Sequence, residues 1–160
     1  MKKLIKSLLV ASLLSSGSLF AYSALDGVKA QKADALQYVK KFITASELTK
    51  WMKDGKKFEI LDVREADEWN AGKISYSHTI KLQRGKLYSG VKKGVLKPKK
   101  TYVLVCRTGH RAILGAAVLN KYYKFENIYV LKGGVKAWIN NGGDIDNQLH
   151  LGKVKIKLKK

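Results

Sequence analysis

The stretch Tyr102-Val103-Leu104-Val105-Cys106-Arg107-Thr108-Gly109-His110-Arg111 decides how this chain is read. Its first four residues are an uninterrupted apolar run, the mark of a strand buried on both faces, and the segment from Arg111 to Tyr123 has the composition and length of a helix. Between them lies the only cysteine of the chain, Cys106, placed where a strand ends and a helix begins. A turn at that place directs backbone N–H groups inward, close to the positive end of a helix dipole, and Arg107 and Arg111 add two guanidinium groups. Free cysteine is most often a small apolar filler. Two arginines, a threonine and a glycine within five residues make poor filler, and they suit a loop that cradles an anion.

Outward from this stretch, strand and helix patterns alternate. Thr44-Ala45-Ser46-Glu47 matches a capping box opening a helix that runs through Met52 and ends at Gly55. Phe58 to Val63 reads as a strand, Glu65 to Ala71 as a short helix stopped by Gly72, and His78 to Leu82 as another short strand. Gln83 to Lys100 holds the only proline and much glycine and lysine, which predicts a connection with one turn of helix. Asn127 to Leu131 is a strand and Val135 to Asn140 a last helix, closed by Gly142-Gly143. Alternation of this kind predicts an α/β fold, a mainly parallel central sheet with helices on both faces, with ligands at the carboxyl ends of the strands. Cys106 stands at such an end.

The chain has 160 residues and a formal charge of +20. Met1-Lys2-Lys3-Leu4-Ile5-Lys6 followed by an apolar, serine-rich stretch to Phe20 has the form of a secretory signal peptide and is too short for a permanent membrane span. The expected organisation is a signal over 1–21, with cleavage after Ala24 as the alternative, a leader over 22–42, a single folded domain over 43–143 and a basic tail over 144–160. Periplasmic localisation follows, with anchoring in the inner membrane by an uncleaved N-terminus as the alternative. About 140 residues remain after cleavage, enough for one core and too few for two. An unpaired thiol in an oxidising compartment asks for an explanation, and a catalytic sulfur provides one. The lysine runs, Lys97-Pro98-Lys99-Lys100 and the tail from Lys153 among them, favour anions in general. No aromatics are interleaved with them as a single-strand binder needs, so nucleic acid is not an expected partner.

Several motifs now join. Asp62-Val63-Arg64-Glu65 with Glu68-Trp69 and Gly72-Lys73-Ile74, then Tyr102 to Arg111, Ala116-Ala117-Val118-Leu119, Phe125-Glu126-Asn127-Ile128 and Leu131-Lys132-Gly133-Gly134-Val135-Lys136-Ala137-Trp138, resemble the single-domain rhodanese-like sulfurtransferases, of an exported, periplasmic type. The resemblance runs from about Ile43 to Trp138. It implies that Cys106 is the nucleophile and that Arg107, Thr108, Gly109, His110 and Arg111 hold the substrate in a six-residue loop sized for sulfur. Related phosphatases and arsenate reductases use a loop one residue longer with an arginine where Ala112 stands, so the spacing argues against phosphate chemistry. The chain departs from the family pattern at Lys73, commonly His, at Ser75-Tyr76-Ser77-His78-Thr79, commonly a Pro-Gly-Ala-like turn, and at Lys124, often Gly. These departures bear on the backbone path more than on the chemistry.

Around the loop, Asp62 and Arg64 are expected to pair with loop backbone or with each other as supporting groups, and Glu68 to meet a nearby base or solvent. Trp51, Trp69 and Trp138 are expected as packing anchors. His78 and His150 have no ligand spacing with Cys106, so no metal is expected, and His110 is read either as added positive charge or as a solvated imidazole. The resemblance implies a sulfurtransferase that needs no cofactor and moves a sulfane sulfur from thiosulfate or a related small anionic donor to cyanide, a thiol or a protein acceptor, through a persulfide on Cys106. A sulfur-carrier or protein-binding module with little small-molecule turnover is the alternative. A monomer without stable membrane insertion is expected.

Overall fold

The computed structural model describes residues 24–147. The proposed signal, most of the basic tail and His150 lie outside these residues. Chain contacts divide at Gln31 and Lys32, within helix α1 (Ala24–Leu36), and the unit from Lys32 onward holds the sheet, both cores and the cysteine loop.

Five strands form one parallel sheet in the order β1-β6-β5-β2-β4: β1 (Phe42–Ile43), β2 (Glu59–Asp62), β4 (Thr79–Lys81), β5 (Tyr102–Val105) and β6 (Ile128–Leu131). The expected α/β class holds. In the central strand all four side chains are buried, as the apolar run demands, and they alternate between two cores. Tyr102 and Leu104 join Leu61, Val63 and Val130 beneath α4 (Leu87–Lys92) and α5 (His110–Tyr123). Val103 and Val105 join Ile60 and Leu131 beneath α2 (Ala45–Lys53) and α6 (Gly134–Asn140). A chain buried on both faces has no polar side to tolerate a register slip.

The chain leaves β2 toward β4 on one side of the sheet and leaves β5 toward β6 on the other. The topological switch therefore lies between β2 and β5, where a crevice opens at the carboxyl ends of the strands. Register places Asp62 beside Val105, so the residues after each strand, Val63-Arg64 and Cys106-Arg107, emerge side by side.

The elements differ from expectation mainly at the edges. The capping box of α2 forms, with the Thr44 hydroxyl accepting from the Glu47 N–H at 3.2 Å and the Glu47 carboxylate accepting from the Thr44 N–H at 2.7 Å. Between Gln83 and Lys100 the chain makes a 3-10 turn, Arg84–Lys86, and then α4. Three two-residue strands were not expected: β1, and the antiparallel pair β3 (Lys73–Ile74) and β7 (Ile145–Asp146). The core also reaches past the expected domain limits: Ala35 and Val39 of the leader, and Ile145 of the tail, are buried in it. Ala35 and Val39 add apolar side chains to one core and Ile145 to the other.

The departures from the family pattern have local accounts. Lys73 pairs with Asp146 at 3.0 Å, directly across the β3–β7 ladder. Tyr76 stacks on Phe58 with ring centroids 4.6 Å apart. Lys124 ends α5 with φ 57°, the only non-glycine with positive φ among the described residues. A side chain in this left-handed cap is strained where glycine is not. Lys124→Gly is therefore expected to stabilise the fold by about 1 kcal/mol, measured by urea unfolding. A destabilised variant would contradict the strain argument.

Candidate active site

Cys106 follows β5 directly and is 1% exposed. Its sulfur accepts the Gly109 N–H at 3.1 Å, a bond that Gly109 makes from φ 99° as it turns the chain into α5. That conformation is one a side chain resists. The loop is pinned from the other side by α6. The Val135 N–H donates to the Cys106 carbonyl at 2.8 Å and the Lys136 N–H to the Arg107 carbonyl at 3.0 Å. These are helix-start N–H groups, which have no partner inside their own helix and here find one in the loop. The approach is so close that a Cβ on Gly134 would stand 2.1 Å from the Cys106 carbonyl oxygen and 2.8 Å from the Arg107 carbonyl.

The two loop arginines differ. Arg107 and Thr108 are exposed, while His110 and Arg111 are half-buried at the first turn of α5. Arg111 donates through both terminal nitrogens to Glu68, at 2.6 and 2.7 Å, with Glu65 3.9 Å away. A bidentate guanidinium–carboxylate pair is the strongest geometry of its kind. The hydrogen bonds from Arg111 hold the Glu68 carboxyl below its ordinary pKa against the opposing effect of burial, with smaller help from the Glu65 N–H and from the Arg111 and Arg64 charges. Reciprocally, the hydrogen bonds to Glu68 raise the Arg111 pKa, opposed by burial, and the nearby Cys106 and Glu65 charges act in the same direction as Glu68.

Glu68 lies on α3 (Ala66–Ala71), and α3 is held by a buried arginine. Arg64, 6% exposed, pairs with the fully buried Asp62, with Nη2 at 2.6 Å and Nε at 2.9 Å from the carboxylate. Its remaining donors reach the Glu68 carbonyl at 3.1 Å and the Gly72 carbonyl at 2.8 Å. The two residues thus pair with each other, one of the two expected arrangements. Their charges are satisfied on every side, as burial requires. Trp138 is buried and donates its indole N–H to the Asp144 carbonyl at 2.9 Å, whereas Trp51 and Trp69 are half-buried. His78 is exposed beside Tyr76, and among the described residues no cluster of three or more histidines, cysteines or acids is placed to hold a metal. Sequence reasoning left Glu68 without an assigned partner. A separation of 43 residues from Arg111 carries no periodic signal that would have found one.

A single buried cysteine at the switch point of a parallel sheet, in a pinned loop that opens a helix, defines an α/β protein whose one thiol stands where such sheets gather their ligands. The model of the rhodanese-like domain matches residues 44–141, and the chain belongs to that family. It is 34% identical over 118 residues, 73% of its length, to the probable adenylyltransferase/sulfurtransferase MoeZ of Mycobacterium tuberculosis. The alignment takes in 29% of that protein, so the chain spans under a third of the length of the curated relatives it matches. Among solved structures, the polysulfide-sulfur transferase homodimer of Wolinella succinogenes superposes with a TM-score of 0.62 at 29% identity, covering 84% of this chain and 95% of that one. A protein of unknown function from Rhodopseudomonas palustris, described as a possible tyrosine phosphatase, gives 0.64 at 26% identity over 74% of this chain and 93% of that one. Membership and the sulfurtransferase relatives support sulfur transfer as the general chemistry and a transferase as the class.

Two outcomes are expected. Gly134→Ala should destabilise the protein by several kcal/mol, on the order of other steric and backbone-strain lesions, and should slow alkylation of Cys106 or make it indiscriminate. A variant with wild-type stability and thiol reactivity would show that the loop does not depend on the close approach. Because the folded pKa of Glu68 is depressed, its contribution to stability is complete above its unfolded value, near 4.5, and is lost as pH falls through the lower folded value. Glu68→Gln should thus flatten the acid limb of the stability–pH curve in urea titrations, and an unchanged limb would exclude the linkage.

Proposed function

We propose that the protein is an exported sulfurtransferase that takes a sulfane sulfur from thiosulfate or a related small anionic donor and passes it, through a persulfide on Cys106, to cyanide or a thiol. The observation that carries this is the placing of Cys106: a buried sulfur held by the Gly109 N–H in a loop that α6 fixes by two backbone hydrogen bonds, in a chain of the rhodanese-like family. In the first step the Cys106 thiolate attacks the outer sulfur of thiosulfate. The donor's S–S bond breaks, its electron pair leaves with sulfite, and Cys106 keeps the sulfur as a persulfide anion. In the second step cyanide or a thiolate attacks the outer sulfur of that persulfide, and the Cys106 thiolate leaves. The sulfane sulfur carries the oxidising equivalents from donor to acceptor, so no external oxidant or reductant is needed, and no cofactor enters.

In this reading Thr108, Gly109 and His110 carry the backbone of the donor cradle and exposed Arg107 supplies positive charge at its rim. Arg111 lies in the same loop, paired with Glu68. The working unit is proposed as a monomer. The localisation is proposed from the N-terminal sequence: export through a signal peptide to the periplasm. Among the described residues no helix is long and apolar enough to cross a membrane.

Mass spectrometry of the protein before and after thiosulfate should show a gain of one sulfur on Cys106 with matching sulfite release, and Cys106→Ala should lose both. Failure of the intact protein to show either would end the enzyme reading. A reduced thiol together with a stably copurifying protein would favour the carrier module. The same spectrum of protein from its own compartment gives the mature N-terminus and thereby tests export. Arg107→Ala should slow sulfur loading roughly 10-fold or more, the loss of one charge-assisted hydrogen bond of about 1.5 to 3 kcal/mol. Wild-type loading should itself slow as salt rises, because screening shortens to ~8 Å at physiological ionic strength. Salt-independent rates would exclude steering by the basic surface.

A further inference from the structure

The six-residue loop contains two arginines, yet only one of them offers an unbalanced charge. Arg107 is exposed and makes no ion pair among the described residues, whereas both terminal nitrogens of Arg111 are taken by Glu68 at 2.6 and 2.7 Å, with Glu65 at 3.9 Å. The grip is itself braced. The Glu65 N–H donates to Glu68 Oε2 at 3.1 Å, and Arg64, locked on Asp62, holds the Glu68 carbonyl at 3.1 Å. A guanidinium matched by a carboxylate presents a dipole, and the field of a dipole falls off faster with distance than that of a charge. The consequence scales with the charge of the ligand, so a dianion loses about twice what a monoanion loses.

We propose that Glu68 is the residue that sets the charge preference of the donor site: by holding Arg111 it lowers the site's pull on dianionic donors such as thiosulfate relative to singly charged sulfane donors, the alkyl persulfides R–S–S⁻. Glu68 acts through Arg111 and is a positioning residue. With a persulfide donor the Cys106 thiolate attacks the terminal sulfur, the donor's S–S bond breaks, and the thiolate R–S⁻ leaves with the electron pair, so the step balances as the thiosulfate step does. The proposal rests on the sulfurtransferase reading and narrows its substrate class. It also reverses the simplest expectation for a loop arginine, since freeing Arg111 should improve thiosulfate use and not impair it.

The test is single-turnover loading of Cys106, followed by rapid-quench mass spectrometry, with thiosulfate and with 2-hydroxyethyl persulfide at varied concentration. Glu68→Gln keeps the shape and removes the charge. It should raise the thiosulfate-to-persulfide ratio of second-order loading constants on the order of fivefold at low salt, chiefly through tighter thiosulfate half-saturation with little change in the maximal rate. Glu68→Asp, which keeps the charge, should stay within about twofold of the wild-type ratio. In Glu68→Gln/Arg111→Gln the gain should disappear, because it depends on Arg111. Should Glu68→Gln alone fail to fold, this double variant carries the test against Arg111→Gln, which leaves the Glu68 charge uncompensated and should move the ratio against thiosulfate. The double variant should lie clearly nearer the wild type. A ratio that is unchanged or lower in Glu68→Gln, or a double variant as impaired as Arg111→Gln, overturns the proposal and leaves the sulfurtransferase reading intact. A wild type that neither donor loads overturns that reading and the proposal with it.

Discussion

The site depends on two backbone hydrogen bonds, from Val135 to the Cys106 carbonyl and from Lys136 to the Arg107 carbonyl. They tie the end of β5 to the start of α6 and so fix the cysteine loop between two helices, α5 ahead of it and α6 beside it. An irregular turn buried at the end of a central strand has carbonyls that neither helix nor sheet can satisfy, and leaving them unpaired would cost on the order of 1 to 3 kcal/mol each. The free N–H groups of a helix start are the cheapest partners at hand. The absence of a side chain at Gly134 is what lets them approach. Loop, helix start and glycine form one arrangement, and the sulfur takes its place from it.

Around this anchor stand two arginine–carboxylate pairs of different character. Arg64 and Asp62 are buried, and Arg64 ties β2 to α3 through the Glu68 and Gly72 carbonyls. Removing one partner of such a pair strands a charge in the interior, which typically costs about 3 to 5 kcal/mol. Arg111 and Glu68 are half-buried and lie next to the cysteine loop. The first pair is architecture, while the second borders the cysteine loop, where a change in its charge balance would be felt. Both meet in α3, a helix of six residues whose own hydrogen bonds could not keep it folded alone.

Much of this was legible in the sequence because local chemistry wrote it there. The four buried positions of β5, the Thr44–Glu47 capping box and the glycine stops are each settled by a few adjacent residues, and the structure follows them within a residue or two. The Asp62–Arg64 pair spans two positions, and mutual pairing was one of its two natural outcomes. What escaped was non-local or too short to have a period. Phe42–Ile43 becomes a strand only because β6 lies beside it, and Lys73–Ile74 only because Ile145–Asp146 returns across it. The partner of Glu68 is fixed by the parallel register of β2 and β5, which brings α3 and the cysteine loop together from 43 residues apart. The Ser75–Thr79 segment departs from the family turn, and here the Phe58–Tyr76 stack and the Thr79 hydroxyl, donating to the Tyr76 carbonyl, hold it.

One further feature would set how long the proposed persulfide lasts. Cys106 is the only thiol of the chain and is almost wholly shielded from solvent. A second cysteine within reach would attack the persulfide, close a disulfide and discard the sulfur as sulfide, which is how many loaded thiols discharge unaided. This chain has no such internal exit. On the proposed chemistry its cargo would leave only when an outside nucleophile enters the crevice, and the lifetime of the loaded form would be dictated by the supply of acceptor. Where acceptors are scarce, the proposed transferase would become a reservoir holding one sulfur atom per polypeptide.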